Sequence, residues 1–201
     1  IPRSTLDHQT AKVRLSLEAE SLVIGIFGGA HVSRRLDWIA ETATAISAEY
    51  PKSQVVHVGP DGGELRKIFG DQAVRYEGIL EADKVADRLR AMDLLLSPFI
   101  DGVSTRRGSV MAALANGVPV ATTKREWTDE VFSNAPIGSV LLSKAKTAKE
   151  FANEVVDWTK SLRPDLGASI EAFSEHYFGW AAIAESMTHQ LAAVDSRTDS
   201  G

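Results

Sequence analysis

Four arginines in two adjacent pairs, Arg34-Arg35 and Arg106-Arg107, are the side chains of this sequence best suited by type and spacing to do chemistry. Each pair follows a glycine-bearing turn and opens a stretch with helical spacing. The second pair stands in the string Asp101-Gly102-Val103-Ser104-Thr105-Arg106-Arg107-Gly108-Ser109. Ser104 and Thr105 are good N-cap residues, and a helix N-terminus offers free N–H groups and the positive end of the helix dipole. Two cations beside that end oppose the dipole unless an anion neutralises both, so the string asks for a phosphate. Two such pairs on one edge of a domain suit a diphosphate, with each charge-assisted hydrogen bond contributing ~1.5–3 kcal/mol. The competing readings are surface pairing of Arg106 and Arg107 with a carboxylate such as Asp101, and an exposed helix start for Arg34 and Arg35.

Other chemistries find no support. The sequence contains no cysteine, which removes disulfides, thiolate metal sites and a thiol nucleophile. Its five histidines never stand four apart, and no H-E-x-x-H occurs, so no metal site is expected. Gly25-x-x-Gly28-Gly29 lacks the G-x-G-x-x-G order of a dinucleotide turn, and no P-loop signature is present. Gly102-Val103-Ser104-Thr105-Arg106 has Arg where a nucleophile elbow needs Gly. His57 lies inside an apolar strand pattern and reads as a hydrogen-bonded core histidine. Lys plus Arg number 22 against 27 Asp plus Glu, a net charge of −5, which argues against a nucleic-acid partner. No apolar run reaches the ~18 residues a membrane span needs. The expected setting is the cytoplasm, with peripheral contact at the inner face of the membrane left open.

The elements that must position the arginines alternate. Continuous apolar runs at 22–27, 54–58 and 94–96 read as strands buried on both faces, with shorter strands at 74–76, from 119 and at 140–142. Helical spacing occupies 34–50, 63–69, 83–92, 107–116, 147–161, 166–176 and 180–194, with a first, less regular helix at 6–17. Strands alternating with helices of this length predict right-handed crossovers on a parallel sheet. The fold class is therefore α/β: one doubly wound, Rossmann-like domain over 1–201 with C-terminal helices and a frayed end at 195–201. In such sheets ligands sit outside the carboxyl ends of the strands, where both arginine pairs fall. Ile1-Pro2-Arg3 is neither an initiator Met nor a signal region, so the N-terminus reads as an internal cut.

The succession of a strand, an acidic-Gly loop, a small-residue helix ending at Gly117 and a strand opened by Pro119-Val120 resembles the C-terminal, donor-binding half of a GT-B glycosyltransferase. The nearest likeness is to the retaining enzymes of family 4 and the group 1 family, best over residues 22–132. The resemblance implies a nucleotide-diphosphate sugar as donor and no metal or other cofactor. It implies that the donor diphosphate is held by a basic residue after the first strand's Gly28-Gly29 turn, a place taken by Arg34 or Arg35. Gly59 and Gly78 match the family's glycines after the second and third strands, and Gly78 stands in the loop that receives the base. Asp93 and Ser97-Pro98 echo the family's residues around the fourth strand. The family's E-x7-E pair is not retained: its positions fall on Ser104 and Ala112, or on Asp101 and Ser109. The Gly-Val-Ser-Thr-Arg-Arg string looks instead like a bacterial variant, in which 104–109 (Ser104, Thr105, Arg106, Arg107, Gly108, Ser109) would grip the diphosphate. Asp101, contacting a hydroxyl of sugar or ribose, and Arg106 are the catalytic candidates. The acceptor site would come from an N-terminal partner domain of the same protein, on which the C-terminal aromatics Phe173, Tyr177, Phe178 and Trp180 pack unless they cover this domain's own sheet. Trp127 lines the donor cleft or has a packing role. The alternatives are a non-catalytic nucleotide-binding or interaction domain and a GT-B sugar-nucleotide epimerase.

Overall fold

Continuous apolar strands need helices on both faces, and that is how the chain folds. The computed structural model describes residues 1–70, 72–163, 165–184 and 188. Helix α1 (His8–Arg14) leads into β1 (Val23–Phe27), α2 (Leu36–Glu49), β2 (Gln54–Val58), α3 (Gly62–Phe69), β3 (Val74–Tyr76), α4 (Ala82–Arg90) and β4 (Leu94–Leu96). There follow α5 (Gly108–Ala115), β5 (Val120–Thr123), a 3-10 turn (Glu130–Asn134), β6 (Val140–Ser143), α6 (Ala148–Thr159) and α7 (Leu166–Phe178). The six strands form one sheet in the order β3-β2-β1-β4-β5-β6, every pairing parallel.

Alternate strand residues feed two cores. Val23, Val56, Val58, Leu95 and Val120 pack under α1, α4, α5 and α7, which supply Ala11, Leu89, Val110 and Ile170. Ile24, Ile26, Val55, Leu94 and Leu96 pack under α2, α3 and α6, which supply Ile39, Ile46, Leu65 and Phe151. Gly25, mid-strand in β1, is a packing glycine: a Cβ there would lie 2.1 Å from the sulfur of Met92.

Element ends differ from the expected ones for local reasons. Helix α1 is shorter than 6–17 because Asp7 caps it, accepting from Thr10 N–H at 2.8 Å, and Ser16 turns the chain with a φ of 54°. Helices α2 and α5 begin at Leu36 and Gly108 rather than at Arg34 and Arg107, since the arginines act as the flanking residues. The 3-10 turn was not foreseen. Of the helix expected at 180–194, residues 180–184 and 188 are helical. The remainder, and the frayed end expected at 195–201, lie outside the described residues. Among the described residues no helix is long and apolar enough to cross a membrane.

Candidate functional site

Chain order reverses between β1 and β4, and crossovers leave this point in opposite directions, opening a crevice at the carboxyl ends of the two strands. The two loops that border it are zipped together. Arg35 N–H donates to the Pro98 carbonyl at 3.1 Å, Ile100 N–H donates to Ser33 at 2.8 Å, and Arg34 and Phe99 form an antiparallel bridge.

The floor of the crevice is the glycine turn after β1. Gly28 has a φ of +103°, a backbone state side chains disfavour, and its N–H donates to the Val58 carbonyl at 2.9 Å. Gly59, at φ +137°, lies against it, since a Cβ there would be 3.0 Å from the Gly28 carbonyl carbon and oxygen. A Cβ on Gly29 would sit 2.6 Å from Asp61 Oδ2, the atom that accepts from Ala30 N–H at 3.0 Å. His57 is fully buried in β2, with Nε2 3.0 Å from the Gly28 carbonyl oxygen, as expected of a core histidine. Gly78, at φ +70°, accepts from Gly59 N–H at 2.8 Å and has open space where a side chain would be.

The structure gives the four arginines four different situations. Arg34 is buried beneath Gly28, its Nη1 donating to the Phe27 carbonyl at 2.8 Å and its Nη2 to Leu96 at 3.3 Å, with Nε unpartnered. No carboxylate pairs with it among the described residues, and burial lowers its pKa to about 10. Arg35 turns away to Asp37, with two contacts of 3.2 Å, and covers the Trp38 ring. Arg107 lies over the Phe99 ring and donates to Ser33 Oγ at 2.9 Å and to both Asp101 oxygens at 2.6 and 2.5 Å. Arg106 is exposed, its side chain without hydrogen bond or ion pair among the described residues. The surface pairing with Asp101 weighed for both members of the second pair thus holds for Arg107 alone.

Ser104 and Thr105 do not cap α5. Thr105 instead donates its N–H and its hydroxyl to Asp129 Oδ2, at 2.7 and 2.9 Å, because the loop needs three more residues to reach the helix. Arg107 occupies the N-cap position without a side-chain cap bond; Gly108 N–H donates to the Arg106 carbonyl at 3.1 Å, and Ser109 N–H has no partner among the described residues. Ser109 faces the glycine turn: a Cβ on Gly28 would lie 3.9 Å from that of Ser109 and 3.3 Å from Arg34 Nη1. Between Gly28, Thr105, Ser109 and the aromatic end of α7 opens a cavity of about 1030 Å³. A second, of about 680 Å³, lies between Asp101, Arg106 and the exposed Trp127, whose N–H donates to the Asp101 carbonyl at 3.0 Å. The site thus brings together Gly28, Gly29, Arg34, Ser109, Arg107 and Asp101, leaves Gly78 one strand pair away, and turns Arg35 aside. Sequence reasoning passed over Ser33, Phe99, Asp61 and Asp129, whose roles exist only once the loops meet.

A family profile described as "Glycosyl transferases group 1" matches residues 21–161. The chain belongs to the group 1 glycosyltransferases. No curated protein sequence matches this glycosyltransferase. Among solved structures it is similar to the C-terminal domain of a group 1 family protein, LpcC, from Francisella tularensis, with a TM-score of 0.68 and 17% identity over 89% of this chain and 96% of that one. It is also similar to WaaG, a glycosyltransferase of lipopolysaccharide biosynthesis, with a TM-score of 0.71 and 13% identity over 89% of this chain and 49% of that one. Anabaena Alr3699/HepE in complex with UDP-glucose gives a TM-score of 0.69 at 16% identity, over 96% of this chain and 54% of that one. This glycosyltransferase chain therefore spans about half the length of the latter two, and its fold is the doubly wound, Rossmann-like GT-B domain expected from its motifs.

Proposed function

We propose that this glycosyltransferase binds a nucleoside-diphosphate sugar and transfers the sugar, with retention at the anomeric carbon, to an acceptor hydroxyl. The observation that carries this reading is Arg34: a buried guanidinium with no carboxylate partner among the described residues, under a glycine turn that any side chain would fill and that Ser109, at the uncapped start of α5, also borders. A buried cation is costly unless paired, and a diphosphate laid over Gly28 and Gly29 supplies the missing charge. Arg106 reaches it from the exposed side of the loop 101–107, and the N–H of Ser109 meets it at the start of α5. As the bond from the sugar to the β-phosphate breaks, charge grows on the departing diphosphate, and these fixed cations and dipoles stabilise it without reorganising. The base lies toward Gly78, where the loop is open. The UDP-glucose complex of the neighbouring fold supports this class of donor, and the doubled length of two neighbours supports an acceptor site on a further domain.

Thermal-shift and calorimetric titration with UDP, GDP, ADP and dTDP tests the reading. Stabilisation by at least one is the expected outcome. No response to any of them returns the chain to a non-catalytic interaction domain. Epimerisation of a bound sugar without acceptor makes it an epimerase, and anomeric inversion in a transfer product removes retention.

A further inference from the structure

The two members of the second arginine pair are not equivalent. Arg107 is held from three sides by residues of two loops: the Phe99 ring 4.3 Å beneath its guanidinium, Ser33 Oγ at 2.9 Å and the Asp101 carboxylate at 2.6 and 2.5 Å. Ser33 Oγ in turn lies 2.8 Å from His31 Nδ1, which orients the hydroxyl that receives Arg107. Asp101 and Arg107 stand at the two feet of the loop 101–107, so the ion pair from Arg107 Nη2 to both Asp101 oxygens closes it like a hasp. The Ser33 contact fastens the closed loop to the segment after β1, where Arg35 N–H and Ile100 N–H already cross between the strands' ends. Asp129 secures the crest through Thr105. The side chain of Arg106, one residue from the foot, projects without a partner among the described residues.

We infer that Asp101 and Arg107 are positioning residues, a clasp that sets the loop and presents Arg106 to the donor, and that Arg106 alone of this pair grips the diphosphate. This rests on the donor-diphosphate reading. Arg107 Nη2 donates to both Asp101 oxygens while Nη1 donates to Ser33 Oγ, so one planar guanidinium spans two loops, and a lysine ammonium cannot hold both partners and the Phe99 face at once. Stacking on Phe99 fixes the guanidinium plane as well as its direction. Were Asp101 to occupy the place of the donor's phosphate, releasing Arg107 from it would improve binding. In a clasp, releasing it loosens the loop, and the donor must pay the ordering entropy on arrival.

The test measures calorimetric affinity for the nucleoside diphosphate that binds best, together with amide hydrogen exchange over 33–35 and 99–109, in Arg106→Gln, Asp101→Asn, Arg107→Gln, Arg107→Lys and the Asp101→Asn, Arg107→Gln double variant. Arg106→Gln is expected to weaken binding ~10-fold or more with exchange unchanged. Asp101→Asn and Arg107→Gln should each weaken it about fivefold and speed exchange at Arg35 and Ile100, and the double variant should be no worse than Arg107→Gln, the mark of one shared interaction. Arg107→Lys should fail like Arg107→Gln although it keeps the charge. Tighter binding by Asp101→Asn, rescue by Arg107→Lys, or loss in Arg107→Gln with exchange unchanged overturns the clasp. If the unaltered protein binds no nucleoside diphosphate, the donor reading falls by itself, and the exchange measurements still decide whether Asp101 and Arg107 hold the loops.

Discussion

His57 Nε2 lies 3.0 Å from the carbonyl oxygen of Gly28, a hydrogen bond that joins the middle of the second strand to the turn after the first. Because a carbonyl only accepts, Nε2 must carry the proton, and the buried Nδ1 has no partner. Burial is the main cause holding the imidazole pKa below its usual value. The Gly28 carbonyl and Asp61 oppose that shift, and Arg34 adds to it. The folded state therefore takes up a proton less readily than the unfolded one. His57 contributes stability that is complete above ~6.5, the unfolded pKa, and is lost as pH falls through that value toward the lower folded one. Urea denaturation at pH 7.5 and pH 5 should show the native protein losing stability, and His57→Gln losing less between the same two pH values.

Arg34 invites a substitution that separates binding from folding. Arg34→Met removes a buried, unpaired cation while filling similar volume, a change often neutral or favourable for ion pairs buried at cost. Against that, the Phe27 and Leu96 carbonyls lose their donors, about 1–3 kcal/mol if no water replaces them. The two effects are comparable, so thermal stability should move little. Nucleoside-diphosphate affinity should fall ~10-fold or more. Calorimetry and a melting curve on the same preparation check both, and retained affinity would remove Arg34 from the site.

Gly59→Ala should cost more than its size suggests. The backbone there has a φ of +137°, and the new Cβ would meet the Gly28 carbonyl, carbon and oxygen alike, at 3.0 Å, with no flexible side chain to yield. Strain of this kind costs about 1–3 kcal/mol. Because the collision falls on the turn itself, loss of nucleotide affinity should accompany the drop in melting temperature, whereas Gly63→Ala, with nothing near its Cβ, should do neither.

The strands were legible because burial on both faces writes itself as unbroken apolar runs: Val55-Val56-His57-Val58 and Leu94-Leu95-Leu96 lie where that pattern puts them. The arginine pairs were legible as cations near the carboxyl edge. Which of them is free was not, since that depends on Ser33 and Phe99, residues distant in sequence from Arg107 and brought to it by the loop zipper. The N-caps were misread for a related reason. Thr105 has the right chemistry for a cap, but Asp129, from beyond β5, claims it first. Arg35 looked equivalent to Arg34, and only the turn of the chain decides which of two neighbours points inward.

The aromatic cluster expected near the C-terminus divides in two, and stability measurements should divide with it. Phe173 is 6% exposed and touches Phe178 edge-on at 5.6 Å, while Phe178 reaches Phe132 at 6.1 Å, so this half covers the domain's own core. Trp180 is 85% exposed. Phe173→Ala should cost about 3–5 kcal/mol in denaturant unfolding, and Trp180→Ala less than about 0.5 kcal/mol. A large cost at Trp180 would mean that it packs on something within this chain.

Asp93 offers a control on the opposite edge of the sheet. It precedes β4, and its carboxylate accepts from Val23 N–H at 2.7 Å, pairs with the buried Lys12 at 2.8 Å and meets His8 Nε2 at 3.0 Å. Burial alone would raise its pKa, but the hydrogen bonds from His8, Lys12 and Val23 together outweigh it and hold the carboxyl below the usual range. The stability it contributes is therefore present above the unfolded value of ~3.9 and lost as pH falls below it, a window that opens at lower pH than that of His57. Asp93→Asn leaves the Lys12 ammonium buried with the Ser21 carbonyl, at 2.9 Å, as its remaining partner, and should cost about 3–5 kcal/mol. Adding Lys12→Met removes the stranded charge and should recover part of that loss. Because β4 runs from Asp93 toward the crevice, neither variant should change nucleoside-diphosphate affinity in the folded protein. A shift in affinity that tracks the loss of stability would mean that the two edges of the sheet are coupled, and affinities of the crevice variants would then need reading at matched stability.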